Sequence, residues 1–275
     1  MKEAVAALLD RPVAEIAPLG GAYRVRLIDG DEVAAKRHAT PSAARAEVAG
    51  LRWLRAGTDS PPVPAVLAFD EQWVVMELVP AGRPSPASAE RFGRELAVLH
   101  RAGAEAFGAA PPDGPADAWI GLAPMRNVTG ADWPDWYVEH RVLPYLRTAV
   151  DQGSIDPAPI EAVCDRIGEF AGPAEPPARL HGDLWSGNVL WSGDRAWLID
   201  PAAHGGHRET DLAMLHLFGC PQLDRVVAAY HESAPLADGW RERIPLHQLF
   251  PLLVHTVLFG GGYGAQAVAA ARSLA

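Results

Sequence analysis

Asp183 and Asn188, with four residues between them, lie in His181-Gly182-Asp183-Leu184-Trp185-Ser186-Gly187-Asn188. Asp200 follows, at the end of the apolar run Ala196-Trp197-Leu198-Ile199. A carboxylate, a carboxamide and a second carboxylate at this spacing suit phosphoryl transfer from ATP. The first Asp accepts the proton of the acceptor hydroxyl, and the Asn and second Asp hold magnesium through oxygen. Such chemistry is mostly positioning, so these groups need a rigid frame. Ser192-Gly193-Asp194 is a turn signal between two short apolar runs, and a loop, strand, turn and strand would supply that frame. On this reading Asp183 is the base, and Asn188 and Asp200 bind Mg2+.

The remaining parts of a phosphoryl-transfer site have candidates upstream. Lys36, one of only two lysines in the chain, ends an expected strand, and Glu47 lies mid-helix eleven residues later. An ammonium can hold phosphate oxygens and a carboxylate at once, so these two form a plausible phosphate-binding pair. Gly20-Gly21 occupy the turn ahead of Lys36, where a short phosphate-covering loop would sit. Met76-Glu77-Leu78-Val79 closes the last strand before a linker. Adenine needs a carbonyl and an amide there, so Met76, and the backbones of Glu77 and Val79, are nucleotide candidates. Asp211 opens a helix and can brace the catalytic loop through its backbone, beyond a simple cap. His181, two residues before the base, suits backbone support rather than proton transfer. Among Trp119, Trp133, Trp136, Tyr137 and Trp185, only Trp185 is placed by its position in the loop to border an acceptor.

These residues need elements to carry them. Lys2–Leu9 reads as a helix, 16–28 as two strands around Gly20-Gly21, 32–36 as a third strand and 43–56 as a helix stopped by Gly57. Strands follow at 66–69 and 73–78, then a Pro/Gly/Ser linker over 80–88. Beyond it, helical spacing runs over 89–101, 136–149, 160–171, 210–218, 223–232 and 245–259, and again from Gln266, while 111–134 reads as irregular. The expected fold is α+β: a bilobal protein-kinase-like architecture. It has a small antiparallel-sheet N-lobe (1–79) for nucleotide and a larger, mainly helical C-lobe (80–275) for catalysis and substrate.

With 275 residues, 49% of them hydrophobic, the chain can bury a sizeable core. A net charge of −10 disfavours nucleic acid, which needs a basic footprint, and anionic membrane surfaces. The run 249–259 is broken by Pro251 and His255 and is too short to span a bilayer. Two cysteines and no secretory leader pattern point to the cytoplasm.

Taken together, HGDLWSGN at 181–188, Asp200-Pro201-Ala202, Gly206-His207-Arg208-Glu209 and Phe259-Gly260-Gly261-Gly262-Tyr263 resemble the fructosamine kinases, or ketosamine 3-kinases. The region from Trp119-Ile120-Gly121 to Asp135-Trp136-Tyr137 and Arg141 looks like that family's middle segment. The resemblance implies a kinase-like fold using MgATP to phosphorylate the sugar 3-hydroxyl of ketosamines, small or borne on protein lysines. Loss of the sugar then frees the amine. It also implies Asp183 as base, Asn188 and Asp200 as metal ligands, and Lys36 with Glu47 as the ion pair. The chain departs from the family in its shorter glycine loop and in lacking the cysteine that plant and animal members carry nearby. Two other readings of the same residues are a phosphotransferase of the aminoglycoside or choline kinase type and a kinase-like binding protein without activity.

Overall fold

A computed structural model describes residues 1–274. The first 77 residues build a five-stranded antiparallel sheet with two helices: α1 (Lys2–Leu9), β1 (Val13–Leu19), β2 (Ala22–Leu27), β3 (Glu32–Arg37), α2 (Pro41–Arg55), β4 (Val66–Phe69) and β5 (Trp73–Glu77). The sheet order is β1-β2-β3-β5-β4. Alternation in β3 decides what each face does. Val33 and Ala35 point into an apolar cluster with Val5 of α1, Val25 and Val75. Ala34 faces the opposite way, toward the cluster shared with α2 and the rest of the chain. A strand's period of two puts Lys36 on that second face, in the cleft.

Helix α2 begins where Thr40 caps it, its hydroxyl accepting the N–H of Ala43 at 3.3 Å, with Pro41 in the first turn. Its buried stripe of Ala44, Val48, Leu51 and Leu54 is what brings Glu47 inward.

The C-terminal part is mainly helical: α3 (Pro86–Arg101), a hairpin of β6 (Asp117–Ile120) and β7 (Ala123–Arg126), α4 (Trp133–Tyr137), α5 (Leu143–Asp151), α6 (Ala158–Cys164) and α7 (Ile167–Phe170). Strand β8 (Ala178–Leu180) leads into the loop that carries Asp183. Beyond the loop lie β9 (Val189–Ser192), β10 (Arg195–Leu198), β11 (His204–Gly206), α8 (Arg208–Leu217), α9 (Leu223–Ser233), α10 (Trp240–Phe259) and α11 (Tyr263–Arg272). One apolar cluster joins Val48 and Leu51 of α2 to Phe92 and Leu96 of α3 and to Leu184 and Leu198 around the loop. The sheet and the helical part therefore share a core behind the cleft. No helix among the described residues is long and apolar enough to cross a membrane.

The structure departs from the sequence-based expectation in several places. The 111–134 segment is not irregular throughout. Ala118, Ile120, Ala123 and Met125 alternate inward and form the β6–β7 hairpin around Gly121-Leu122. The linker ends at Ser85, where a reciprocal cap with Ser88 starts α3. The expected 136–149 helix runs from Trp133 to Asp151 and contains a π-turn over Val138–Val142. The 160–171 helix is two short helices. Helix α10 starts at Trp240 and carries Pro245 and Pro251 inside it. Strands β8 and β11, only three residues each, pair antiparallel across the catalytic loop. Neither is long enough to leave a periodic signal.

Candidate active site

The loop between β8 and β9 is held by its backbone. Asp211, at the start of α8, accepts the N–H of His181 at 2.8 Å and of Gly182 at 2.9 Å. It also meets His100 Nε2 at 3.1 Å, and His100 Nδ1 meets the Tyr230 hydroxyl at 2.8 Å. Burial alone would raise the Asp211 pKa, but the bond from His100 and the neighbouring imidazoles outweigh it and lower it. His181 Nε2 bonds the Ile199 carbonyl at 2.9 Å, and its Nδ1 accepts the Asp183 N–H at 3.3 Å. Those partners assign the neutral Nε2–H tautomer; burial favours the same neutral form. Gly182 has φ +81°, and a Cβ there would lie 2.1 Å from the Ala202 carbonyl. Only glycine permits that turn.

Asp183 projects from this loop into the cleft. Asn188 Nδ2 donates to its carboxylate at 3.0 Å and to its carbonyl at 2.8 Å. Burial pushes the Asp183 pKa up to about 7 against the Asn188 bond, with Asp200 and Asp211 adding to the rise. The β9–β10 hairpin pairs Val189 with Leu198, and Ile199 N–H bonds the Asn188 carbonyl at 3.1 Å. Asn188 and Asp200 thus leave the same end of the hairpin. Asp200 has φ +53°, a left-handed backbone that is sparsely populated outside glycine.

Lys36 links the two parts of the chain. Its Nζ is 3.0 Å from Glu47 Oε2 and 3.0 Å from Asp200 Oδ1. Burial opposes the ammonium, yet Glu47 and then Asp200 outweigh it and raise its pKa. Glu47 is buried, and Lys36 and His38 overcome that burial to hold it as a carboxylate. His38 Nε2 lies 2.7 Å from the same Glu47 oxygen.

A cavity of about 870 Å3 brings most of the sequence-predicted residues together: Gly21, Lys36, Glu47, Asp183, Trp185, Asn188 and Asp200 all line it. Gly20, Met76, Glu77 and Val79 do not. Gly20 is in the β1–β2 turn at φ +57°. Met76 is buried in the sheet, paired with Ala34 and Val66. The Glu77 N–H is taken by the Ala65 carbonyl at 2.9 Å, which leaves only its carbonyl for a nucleotide edge.

Several lining residues escaped the sequence reading. His38 lies one residue past the end of β3 and two positions after Lys36, so continuing the strand's period of two could have found it. Trp119 rides on the β6–β7 hairpin, and its indole N–H donates to Ser42 of α2 at 3.1 Å. That hairpin is anchored by Arg141, whose position in the π-turn lets it donate to the Arg126 carbonyl and to Asn127 Oδ1, both at 3.0 Å. Burial lowers the Arg141 pKa to about 10, and its guanidinium lies 4.6 Å from the Trp136 ring. Phe218, His255, Phe259 and Tyr263 complete the far wall. A separate buried cluster of His207, Glu209 and His247 lies outside the cavity. Arg243 occupies both oxygens of Glu209, at 2.9 and 2.6 Å, so the cluster is an ion-pair network.

The fold is a bilobal protein-kinase-like architecture. An aminoglycoside phosphotransferase, solved as a ligand-free thermostable mutant, superposes with TM-score 0.65 at 16% identity, covering 100% of this chain and 98% of its own; it shares the fold. The fructosamine kinase family profile matches residues 32–274, and the chain belongs to that family. A candidate ketoamine kinase of Synechocystis sp. is 36% identical over 231 residues, spanning 81% of this chain and 75% of its own length. A candidate fructosamine-3-kinase of Thermobifida fusca superposes with TM-score 0.92 at 50% identity, over 100% of this chain and 98% of its own.

Proposed function

We propose that the chain is an ATP-dependent kinase that phosphorylates the sugar 3-hydroxyl of ketosamines such as fructosamines or ribulosamines, small or carried on protein lysines. Family membership supports the activity. The observation that carries the site assignment is the convergence of Lys36, Glu47, Asp183, Asn188 and Asp200 on one cavity. Asp183 accepts the hydroxyl proton. Its pKa near 7 lies where a base can both take and release a proton at neutral pH. Lys36 holds phosphate oxygens while Glu47 fixes the ammonium. The backbone carbonyl of Glu77 and the amide of Val79 are assigned to the adenine edge, and Gly20-Gly21 to the phosphate-covering turn. Residues 1–79 form the nucleotide lobe in this reading, and 80–275 the catalytic and substrate lobe.

Magnesium fits the residues present. Asn188 spends its Nδ2 on Asp183, which leaves its Oδ1 as the free atom. Asp200 supplies carboxylate oxygens at the same end of the hairpin, and oxygen donors are what this cation prefers. Bound there, the metal would neutralise charge on the transferring phosphoryl group. We place the chain in the cytoplasm, a reducing compartment in which Cys164 and Cys220 would remain thiols. His181 and Asp211 act on the loop backbone, and Trp185 borders the acceptor.

The test is ATP consumption by the purified chain over ribulosamines, fructosamines, free ketoses and aminoglycosides with Mg2+. The expected result is turnover of ketosamines at the highest kcat/KM. Preferential turnover of aminoglycosides or choline-like alcohols would replace this reading with the small-molecule phosphotransferase. Nucleotide binding without turnover of any acceptor would indicate a binding protein.

A further inference from the structure

The cavity has a wall that phosphoryl transfer leaves unused. Its rings come from three separate segments and form a connected set. Trp185, beside the catalytic loop, lies 6.1 Å from Phe218, and Phe218 lies 4.8 Å from His255. His255 is 5.5 Å from Phe259 and 5.1 Å from Tyr263, centroid to centroid. Within this apolar wall His255 supplies a ring nitrogen whose role is fixed. Its Nδ1 lies 2.7 Å from the Pro251 carbonyl, one turn back in α10. A carbonyl can only accept, so Nδ1 carries the proton and Nε2 keeps its lone pair. Burial lowers the His255 pKa, with the Pro251 bond opposing it, so the neutral ring dominates at pH 7.

We infer that His255 Nε2 accepts a hydrogen bond from the protonated secondary amine of the acceptor, and that Phe218, Phe259 and Tyr263 attract the same charge through their ring faces. A neutral acceptor among aromatic faces suits an organic cation. A sugar hydroxyl would gain little from the ring faces. The exit agrees with this orientation. Phe259 and Leu122, also lining the cavity, are 63% and 76% exposed, so the substituent on the amine has an apolar path out to solvent. The inference rests on the ketosamine reading, because a free ketose offers no such cation. It adds to that reading the group that distinguishes the two.

The experiment compares kcat/KM for a ribulosyl- or fructosyl-lysine derivative with kcat/KM for the parent ketose. It uses the native chain, His255→Phe and His255→Gln, after melting curves and ATP-analogue binding have checked that each variant folds. In His255→Phe, which keeps the ring and removes the acceptor, the ketosamine value is expected to fall roughly tenfold more than the ketose value, through KM. His255→Gln, whose amide can both donate and accept, is expected to retain more ketosamine activity than the Phe variant. Should His255→Phe not fold, a selective loss in His255→Gln against the native chain carries the test. An equal loss on both acceptors, or none on either, overturns the inference. A native chain that does not prefer the ketosamine fails the function reading itself, and that is scored before any variant is made.

Discussion

The two walls of the cavity are built on opposite principles. The phosphate wall is charged and locked: Lys36 spans Glu47 and Asp200, Asn188 holds Asp183, and Asp211 holds the loop backbone. The acceptor wall is aromatic and less constrained. Its contacts are ring to ring, and Trp185 and Phe259 are exposed. Phosphoryl transfer is the same reaction for any acceptor and tolerates little displacement, because catalysis is positioning. Acceptor choice is a matter of surface shape and charge, and apolar walls adapt at lower cost. Chemistry and specificity are therefore separable here, and each can be altered alone.

The largest expected effect lies on the phosphate wall. Asp183→Asn should lower kcat by roughly 10²–10⁴ while ATP-analogue affinity stays near the native value. Near-native turnover would remove Asp183 from the chemistry. Next is the brace. Asp211→Ala orphans the N–H groups of His181 and Gly182, each at about 1–3 kcal/mol when buried, so a lower melting temperature and a lower kcat should appear together. An unchanged melting curve would mean the loop is held by something else.

The two walls were not equally readable in the sequence. The candidate base, both metal candidates, His181, Asp211 and Trp185 came from one compact motif and a helix start nearby, because the loop geometry itself imposes their spacing. Lys36 and Glu47 followed from a strand and a helix with ordinary periodicity. The acceptor wall was legible only in part: Trp185 came with the loop motif and Phe259 and Tyr263 with the Phe259-Gly260-Gly261-Gly262-Tyr263 resemblance, but Phe218 and His255 had no signature and no spacing joined the segments. Phe218 ends α8, His255 and Phe259 lie on α10, and Tyr263 starts α11; only folding brings them together. Trp119 was passed over because its segment, rich in proline and glycine, hid a hairpin of four-residue strands. His100, the partner of Asp211, looked like one more residue on a helix face.

A sharper separation of the walls comes from Gly187. A Cβ at Gly187 would lie 2.1 Å from the Trp185 ring, so Gly187→Ala must displace the indole. KM for the ketosamine should rise severalfold, with KM for ATP held within about twofold. A matching rise in both would merge the two walls.

Acid should act on the fold rather than on either wall alone. Burial lowers the pKa of His181, His204, His207 and His247, that of His204 to about 3. As pH falls below about 6.5 the unfolded chain takes up these protons first, so stability is lost from there downward. The loss levels off only below the folded-state values. Each group contributes at most about 1.4 kcal/mol per pH unit. Asp183, raised to about 7, works the other way but is one group against these four, with His216 and His255 lowered in the same direction. Chemical denaturation between pH 7.5 and 5 should show falling stability; a flat profile would contradict the buried neutral histidines.

The smallest expected effect is at Trp119→Phe, which removes one hydrogen bond to Ser42, worth about 0.5–1.5 kcal/mol, and should change acceptor KM by a few-fold at most. Division of labour between the walls would be visible in a crystal structure with a non-hydrolysable ATP analogue, Mg2+ and a ribulosyl- or fructosyl-lysine. The sugar 3-hydroxyl is expected within about 2.6–3.2 Å of Asp183, with metal on Asn188 and Asp200 and the amine against His255 and its aromatic neighbours. An acceptor lying with its amine toward Asp183 and its sugar toward α10, or bound outside this cavity, would contradict it.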